Sequence, residues 1–207
     1  MAIFKNRYKN SSDEKLMKYI QKGDVSAFNV LYDHYSQCLL FYFHRMLGGD
    51  QDKAQDFLQE IFLKIVEKPE LFHPEKRFST WIFTVAYNLC KNEYRHLEKR
   101  KEVENRSEMN VMPKNYLRNN PQPDQILDQK DFKDKLFAEV EKFDEDHRSV
   151  FLLRYQQNFG LKEISEILGC PEGTVKSRLF YTTKKLAEKL KAYNPYNKEV
   201  KANEKPK

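Results

Sequence analysis

Two short apolar stripes separated by Gly169-Cys170-Pro171 constrain this chain more than any other stretch of it. Before the break, Leu161, Ile164 and Leu168 recur at the three- and four-residue spacing of one helix face. The Gly-Cys-Pro run then forces a sharp turn, and a second helix starts near Glu172. In that helix Val175, Leu179, Thr182 and Leu186 share one face, which must pack on the first. Its opposite face carries Ser177, Phe180, Tyr181 and Lys184, flanked by Thr174, Lys176, Arg178 and Lys185. An apolar inner stripe beneath an outer face of hydrogen-bond donors and cations is the plan of a helix-turn-helix, whose second helix suits a DNA major groove. A helical hairpin with a solvated basic face would share the charge. It would not call for the outward pair Phe180-Tyr181.

The rest of the chain is helical as well. Ser11 with Glu14 forms a capping box before Leu16, Tyr19 and Ile20, and Gly23-Asp24 breaks that helix. A second helix places Phe28, Leu31, Tyr32, Tyr35, Leu39, Tyr42, Phe43 and Met46 at helical spacing, and Gly48-Gly49-Asp50 ends it. A third spans about Gln51 to Glu67, with Ala54, Leu58, Ile61, Phe62 and Ile65 on one stripe. After a loop from Pro69 to Lys76, a fourth runs from near Ser79 to about Arg100. No stretch alternates with period two for long enough to make a strand. Asn and Pro residues then crowd Glu102 to Pro123, which reads as a linker. The helical pattern returns from Asp124 with Ile126, Leu127, Phe132, Leu136, Phe137 and Val140. Val150 to Tyr155 forms a short apolar helix, and Asn158-Phe159-Gly160 a turn. The Lys, Asn, Glu and Pro residues after Leu190 predict a disordered tail.

Two faces of the N-terminal helices point outward. With Leu58, Ile61 and Ile65 turned inward, the third helix exposes Asp56, Glu60 and Leu63 beside Asp52 and Gln59. A leucine ringed by acids suits a partner helix, because like charge repels phosphates. The bland alternative is an acidic solvent face. In the fourth helix Phe78, Ile82, Val85, Ala86 and Leu89 face inward. Tyr87, Asn88, Lys91 and Arg95 then form an outer stripe with Trp81 and Phe83 at its edges. Cations that follow a backbone and rings that accept unstacked bases are what a single-stranded groove needs. Trp81 is equally suited to a core position.

The net charge of +6 in 207 residues biases the chain toward polyanions without the excess of a histone-like tail. Cys38, Cys90 and Cys170 are odd in number and widely spaced, and the polar N-terminus shows no secretory signal, so free thiols in a reducing cytoplasm are expected. No window has the ~20 apolar residues of a membrane span. His34 and Cys38 stand one helical turn apart with no second metal-ligating pair nearby. No Walker loop, nucleophile elbow or zincin motif occurs, so no enzyme, cofactor, metal or small-molecule substrate is expected.

Asp146-His147-Arg148-Ser149-Val150-Phe151-Leu152-Leu153-Arg154-Tyr155 and the run from Leu161 to Leu179, with Gly173-Thr174-Val175-Lys176-Ser177-Arg178, resemble region 4 of the sigma-70 family. The Gly-Thr-Val-Lys-Ser-Arg run is similar to that of the small extracytoplasmic-function (ECF) group. Upstream, Asp13 to Lys101 resembles region 2, including Gly23-Asp24-Val25-Ser26-Ala27-Phe28 and Asp56-Phe57-Leu58-Gln59-Glu60. The resemblance implies an all-α chain of two small helical domains joined by a flexible linker. Its parts would be an N-terminal arm (1–11), region 2 (12–101), a linker (102–123), region 4 (124–190) and a basic tail (191–207). No intervening helical domain fits in 102–123.

The resemblance also implies a function: binding core RNA polymerase, directing it to promoters and promoting DNA opening, without catalysis. Thr174, Lys176, Ser177, Arg178, Phe180, Tyr181 and Lys184 would read the −35 element. Lys76, Arg77, Trp81, Tyr87, Asn88, Lys91 and Arg95 would serve −10 recognition and melting, with the loop Leu71 to Lys76 taking a flipped base. Asp52, Asp56, Gln59, Glu60 and Leu63 would meet the coiled coil of the largest polymerase subunit, and region 4 the flap. The implied partners are core polymerase, promoter DNA and an anti-sigma factor, typically membrane-anchored. Extended, 102–123 reaches roughly 75 Å; promoter elements about 25 base pairs apart are separated by roughly 85 Å. With the widths of the domains added, both elements can be engaged together. The alternative is a conventional helix-turn-helix regulator, which would bind its operator without polymerase.

Overall fold

The computed structural model describes Tyr8 and residues 11–104 and 126–193. Most of the arm, linker and tail lies outside the described residues, as do the side chains of Ile126 and Leu127. The described residues form helices α1 (Asp13–Ile20), α2 (Val25–Met46), α3 (Gln51–Glu67), α4 (Phe78–Glu104), α5 (Ile126–Val140), α6 (Glu145–Phe151), α7 (Leu161–Leu168) and α8 (Glu172–Lys189), with no strand among them. The expected all-α fold is what is observed.

Each break in the sequence becomes a cap. Asp24 accepts from the N–H groups of Ser26 at 2.9 Å and Ala27 at 3.1 Å, starting α2. Asp50 does the same for α3 through Lys53 at 3.0 Å. Gly48 and Gly49 have φ of 66° and 86°, a left-handed pair that lets α2 end and α3 begin at once. At α1 the cap is Ser12, one residue later than the sequence suggests, accepting from Lys15 at 3.3 Å. Glu14 is therefore not a partner in a capping box with Ser11. Its Oε1 instead accepts the Phe78 N–H at 3.0 Å and caps α4. Burial pushes the Glu14 carboxyl up, but that bond, further hydrogen bonds from its own backbone and Ser12, and the Arg77 charge together hold it below its usual pKa.

Helices α1 to α4 enclose an aromatic core. The Phe78 ring sits 5.1 Å from Tyr35 and 5.4 Å from Phe72, and Trp81 wedges against Phe72 at 5.4 Å. Among α5 to α8, α6 and α7 both pack on α8, so the inner stripes of the helix-turn-helix meet as expected. Gly169, with φ 63°, closes α7 in the left-handed conformation and makes the turn. Between α6 and α7 the chain passes through a π-helical turn, Leu152–Gln156, followed by Asn158 at φ 59°.

The two halves are packed together, which periodicity did not foretell. Helix α4 lies against α7, and α6 against α2. The Phe83 ring meets Phe159 edge-on at 5.1 Å, and Phe83 is only 2% exposed. Tyr87 is 3% exposed, its hydroxyl donating to Asp146 at 2.7 Å. Neither residue belongs to an outer stripe. The helical period was right, but the face it assigns to solvent in an isolated four-helix bundle is here covered by the C-terminal half.

Candidate nucleic-acid and polymerase interfaces

Helix α8 is built from both sides. Val175, Thr182 and Leu186 are buried beneath it, and Thr182 returns its hydroxyl to the Arg178 carbonyl at 2.7 Å. That leaves Lys176, Ser177, Phe180, Tyr181 and Lys184 on the exposed side. Phe180 and Tyr181 are 61% and 57% exposed with ring centroids 5.5 Å apart, an apolar pair on a cationic surface. Thr174 is half-buried, and its carbonyl accepts from the Ser177 hydroxyl at 3.0 Å. Arg178 is engaged rather than free: its guanidinium forms an ion pair with Asp146 and lies 3.8 Å from the Cys170 sulfur.

Helix α3 shows the outward face expected of it. Asp52, Asp56, Gln59, Glu60 and Leu63 are all exposed, Leu63 by 55%, while Leu58, Ile61 and Ile65 are buried. Glu60 pairs with Lys64 at 2.9 Å, and Val66 extends the apolar patch beside Leu63. The inner edge is tied to α4 by an ion pair between Lys53 and Glu93.

Along α4 the expected groove is only partly present. Asn88 and Arg95 are exposed and Lys91 is half-buried, its ammonium 5.5 Å from the Tyr87 ring centroid. Lys76 and Arg77 are exposed ahead of the helix, with Arg77 paired to Glu163 of α7. Trp81 is half-buried against Phe72 and Phe78, between the core and surface roles the sequence allowed it.

Sequence reasoning missed the residues that join the halves, and most of them lie on α6. Ser149 shares a hydrogen bond of 2.8 Å with the Tyr42 hydroxyl. Arg148, 9% exposed, donates from one nitrogen to the Met46 carbonyl at 2.7 Å and to the Tyr94 hydroxyl at 2.8 Å. Its other terminal nitrogen reaches the Phe143 carbonyl at 2.8 Å. Three tyrosines of the N-terminal half, Tyr42, Tyr87 and Tyr94, thus clasp three residues of one helix. Burial is the main cause that pushes all three phenols above their usual pKa, Tyr94 to about 12. Arg45 adds an ion pair to Glu141 at 3.2 Å, with its guanidinium 4.1 Å from the Phe137 ring centroid. The faint signal was an arginine and a serine set among the apolar residues that follow them.

His34 Nδ1 lies 3.1 Å from Asp13, and no group of three metal-ligating residues occurs among the described residues. Among those residues no helix is long and apolar enough to cross a membrane.

Residues 31–100 match the family model for sigma-70 region 2, and residues 134–186 the model for sigma-70 region 4. The chain belongs to the sigma-70 family, in its ECF group. It is 27% identical over 182 residues to the ECF RNA polymerase sigma-E factor of Haemophilus influenzae, covering 86% of this chain and 95% of that one. It is 28% identical over 184 residues to the sigma-E factor of Escherichia coli K12, covering 86% and 94%. Among solved structures, CnrH in complex with the cytosolic domain of CnrY is similar, with a TM-score of 0.63 at 19% identity over 87% of this chain and 97% of that one. The sigma factor RpoE of Bartonella quintana, in complex with the anti-sigma factor NepR, has a TM-score of 0.59 at 22% identity over 79% and 96%. As an ECF sigma factor the chain directs RNA polymerase to promoters and is a non-catalytic subunit.

Proposed function

We propose a division of labour among the three faces. The exposed side of α8, through Lys176, Ser177, Phe180, Tyr181 and Lys184, reads the −35 element, with Thr174 and Arg178 at its margin. Lys76, Arg77, Trp81, Tyr87, Asn88, Lys91 and Arg95 hold the −10 element and its melted strand. Asp52, Asp56, Gln59, Glu60 and Leu63 dock on the coiled coil of the largest polymerase subunit, while region 4 meets the flap. Melting then proceeds by strand capture: stacking of an unpaired base on an aromatic side chain contributes about 1–3 kcal/mol. The observation that carries this assignment is α8, whose buried stripe leaves an apolar pair and cations facing outward.

The working place is that of polymerase and chromosome, the cytoplasm. The sigma factor RpoE of Bartonella quintana is bound to the anti-sigma factor NepR, and CnrH to the cytosolic domain of CnrY, which supports a partner of this kind for this chain; family resemblance adds that it is anchored at the membrane. Co-purification that recovered only polymerase under all conditions would remove that partner.

Mixing the chain with core polymerase and fragmented genomic DNA, then sequencing the transcript starts, tests the whole assignment. The expected result is a set of starts sharing two spaced upstream motifs, absent without the chain. Retention of specific duplex DNA by the chain alone, with no binding to polymerase, would refute it.

A further inference from the structure

The outward face of α8 carries few groups able to read a base by hydrogen bonding. An arginine is the usual partner of a guanine edge. Arg178, however, has one terminal nitrogen in the ion pair with Asp146 and the other 3.8 Å from the Cys170 sulfur. Asp146 lies on α6 and Cys170 in the turn before α8, so this bracing is internal to region 4. Arg154 is likewise tied, to the Phe159 carbonyl at 3.0 Å, and Arg148 is buried. The Ser177 hydroxyl donates to the Thr174 carbonyl at 3.0 Å, and that of Thr183 to the Leu179 carbonyl at 2.8 Å.

What projects instead is apolar. Phe180 and Tyr181 are both more than half exposed and meet nearly edge-on, at 74°. Exposed Lys176 and Lys184 stand about one helical turn to either side of Phe180. A lysine is a compact point charge suited to phosphates, and this pair brackets the rings. In a major groove the base edges differ in donors and acceptors, but thymine alone adds a methyl group, on which an apolar side chain such as phenylalanine can seat. The ring centroids are 5.5 Å apart, less than two base-pair steps of about 3.4 Å each, so the rings reach neighbouring base pairs and no further.

We propose that Phe180 and Tyr181 are thymine readers, each seating on the C5-methyl group of a thymine at neighbouring positions of the −35 element. The proposal rests on the assignment of α8 to that element and states which base the face selects. The lysines then hold the phosphates and fix the register, while the rings supply the sequence choice. Cytosine and uracil lack the methyl group, so the rings favour thymine over both, whatever hydrogen bonds form beside them.

Run-off transcription with the full chain and core polymerase, on a promoter mapped through its transcript starts, tests this by removing methyl groups alone. Each thymine of the −35 element is replaced in turn by deoxyuridine, which keeps the pairing and the O4 acceptor. Replacements at two neighbouring positions should each lower transcription about fourfold, the effect of uncovering one methyl-sized group. Replacements between the two promoter elements should have no effect. Phe180→Ala should abolish the response at one of the two positions and Tyr181→Ala at the other. Circular dichroism checks that both variants are folded; if they are not, the wild-type comparison decides without them. A wild type that needs its −35 element yet ignores deoxyuridine there would overturn the proposal and leave the assignment of α8 intact. A response that persists undiminished in both folded variants would overturn it too. A wild type indifferent to scrambling of the whole −35 element would remove the assignment of α8, and the proposal with it.

Discussion

The hydroxyls of Tyr42 and Ser149, 107 residues apart in the chain, meet at 2.8 Å with both side chains fully buried. A hydrogen bond so far from solvent forms only if its neighbours exclude water, so it marks a closely packed contact between regions 2 and 4. Arg148 beside it extends the contact to the end of α2.

Arg148→Ala should be among the most destabilising single changes. It takes the donor from the Glu141 and Phe143 carbonyls and the Tyr94 hydroxyl, and one of two donors from the Met46 carbonyl, which keeps that hydroxyl. The expected cost is about 2–4 kcal/mol. Arg148→Lys should recover little, since an ammonium cannot span partners on both sides. Urea unfolding followed by circular dichroism checks this; an unchanged midpoint for the alanine variant would be the contrary result.

Leu63→Glu should separate docking from folding. The side chain is 55% exposed, so stability should shift by no more than about 0.5 kcal/mol. Affinity for core polymerase should fall at least about tenfold, because a central apolar anchor is replaced by charge. Fluorescence anisotropy with labelled chain reads the affinity, and a thermal melt confirms the fold.

Phe180→Ala and Tyr181→Ala should leave the melting temperature nearly unchanged, both rings being more than half exposed. Promoter-directed transcription should fall by roughly tenfold or more for at least one of them, in line with about 1–3 kcal/mol for a specific base contact. Run-off transcription at a mapped promoter is the measurement. Full activity in both variants would remove the rings from recognition.

High pH should loosen the interface. Unfolded tyrosines ionise near pH ~10. Buried Tyr42, Tyr87 and Tyr94 keep their protons longer, Tyr94 to about 12. Above pH ~10 the unfolded state therefore holds fewer protons than the folded one, and stability falls as pH rises. The contribution is complete below that pH and is lost as pH climbs through the folded values. Phenolate absorbance should show a first group of exposed tyrosines, then a later group that appears together with loss of helical signal. A single early titration of all tyrosines would contradict the clasp.

Much of this was legible in the sequence, and the failures share a cause. The face of α3 emerged intact because Leu58, Ile61 and Ile65 mark burial unambiguously and acids mark the reverse. The inner stripe of α8 emerged for the same reason. Phe83 and Tyr87 did not: periodicity shows that a second face exists on α4, but not that another domain covers it. Tyrosine adds to the ambiguity, since a phenol suits both a wet groove and a buried hydrogen bond. The spacing of Ser11 and Glu14 pointed to a local capping box, but the cap of α1 is Ser12, and Glu14 goes to Phe78, a partner 64 residues away that no local rule reaches.

Arg148 also limits how such proteins can be recombined. Its guanidinium belongs to region 4, yet two of its acceptors, the Met46 carbonyl and the Tyr94 hydroxyl, belong to region 2. A chimera spliced in the linker would inherit both acceptors with one module and the donor with the other. Any foreign region 4 fitted to this region 2 must bring a planar, multidentate cation at that point of α6, or leave the Met46 carbonyl with the Tyr94 hydroxyl as its remaining side-chain donor and that hydroxyl without its own. The halves are separable as genes but matched as surfaces.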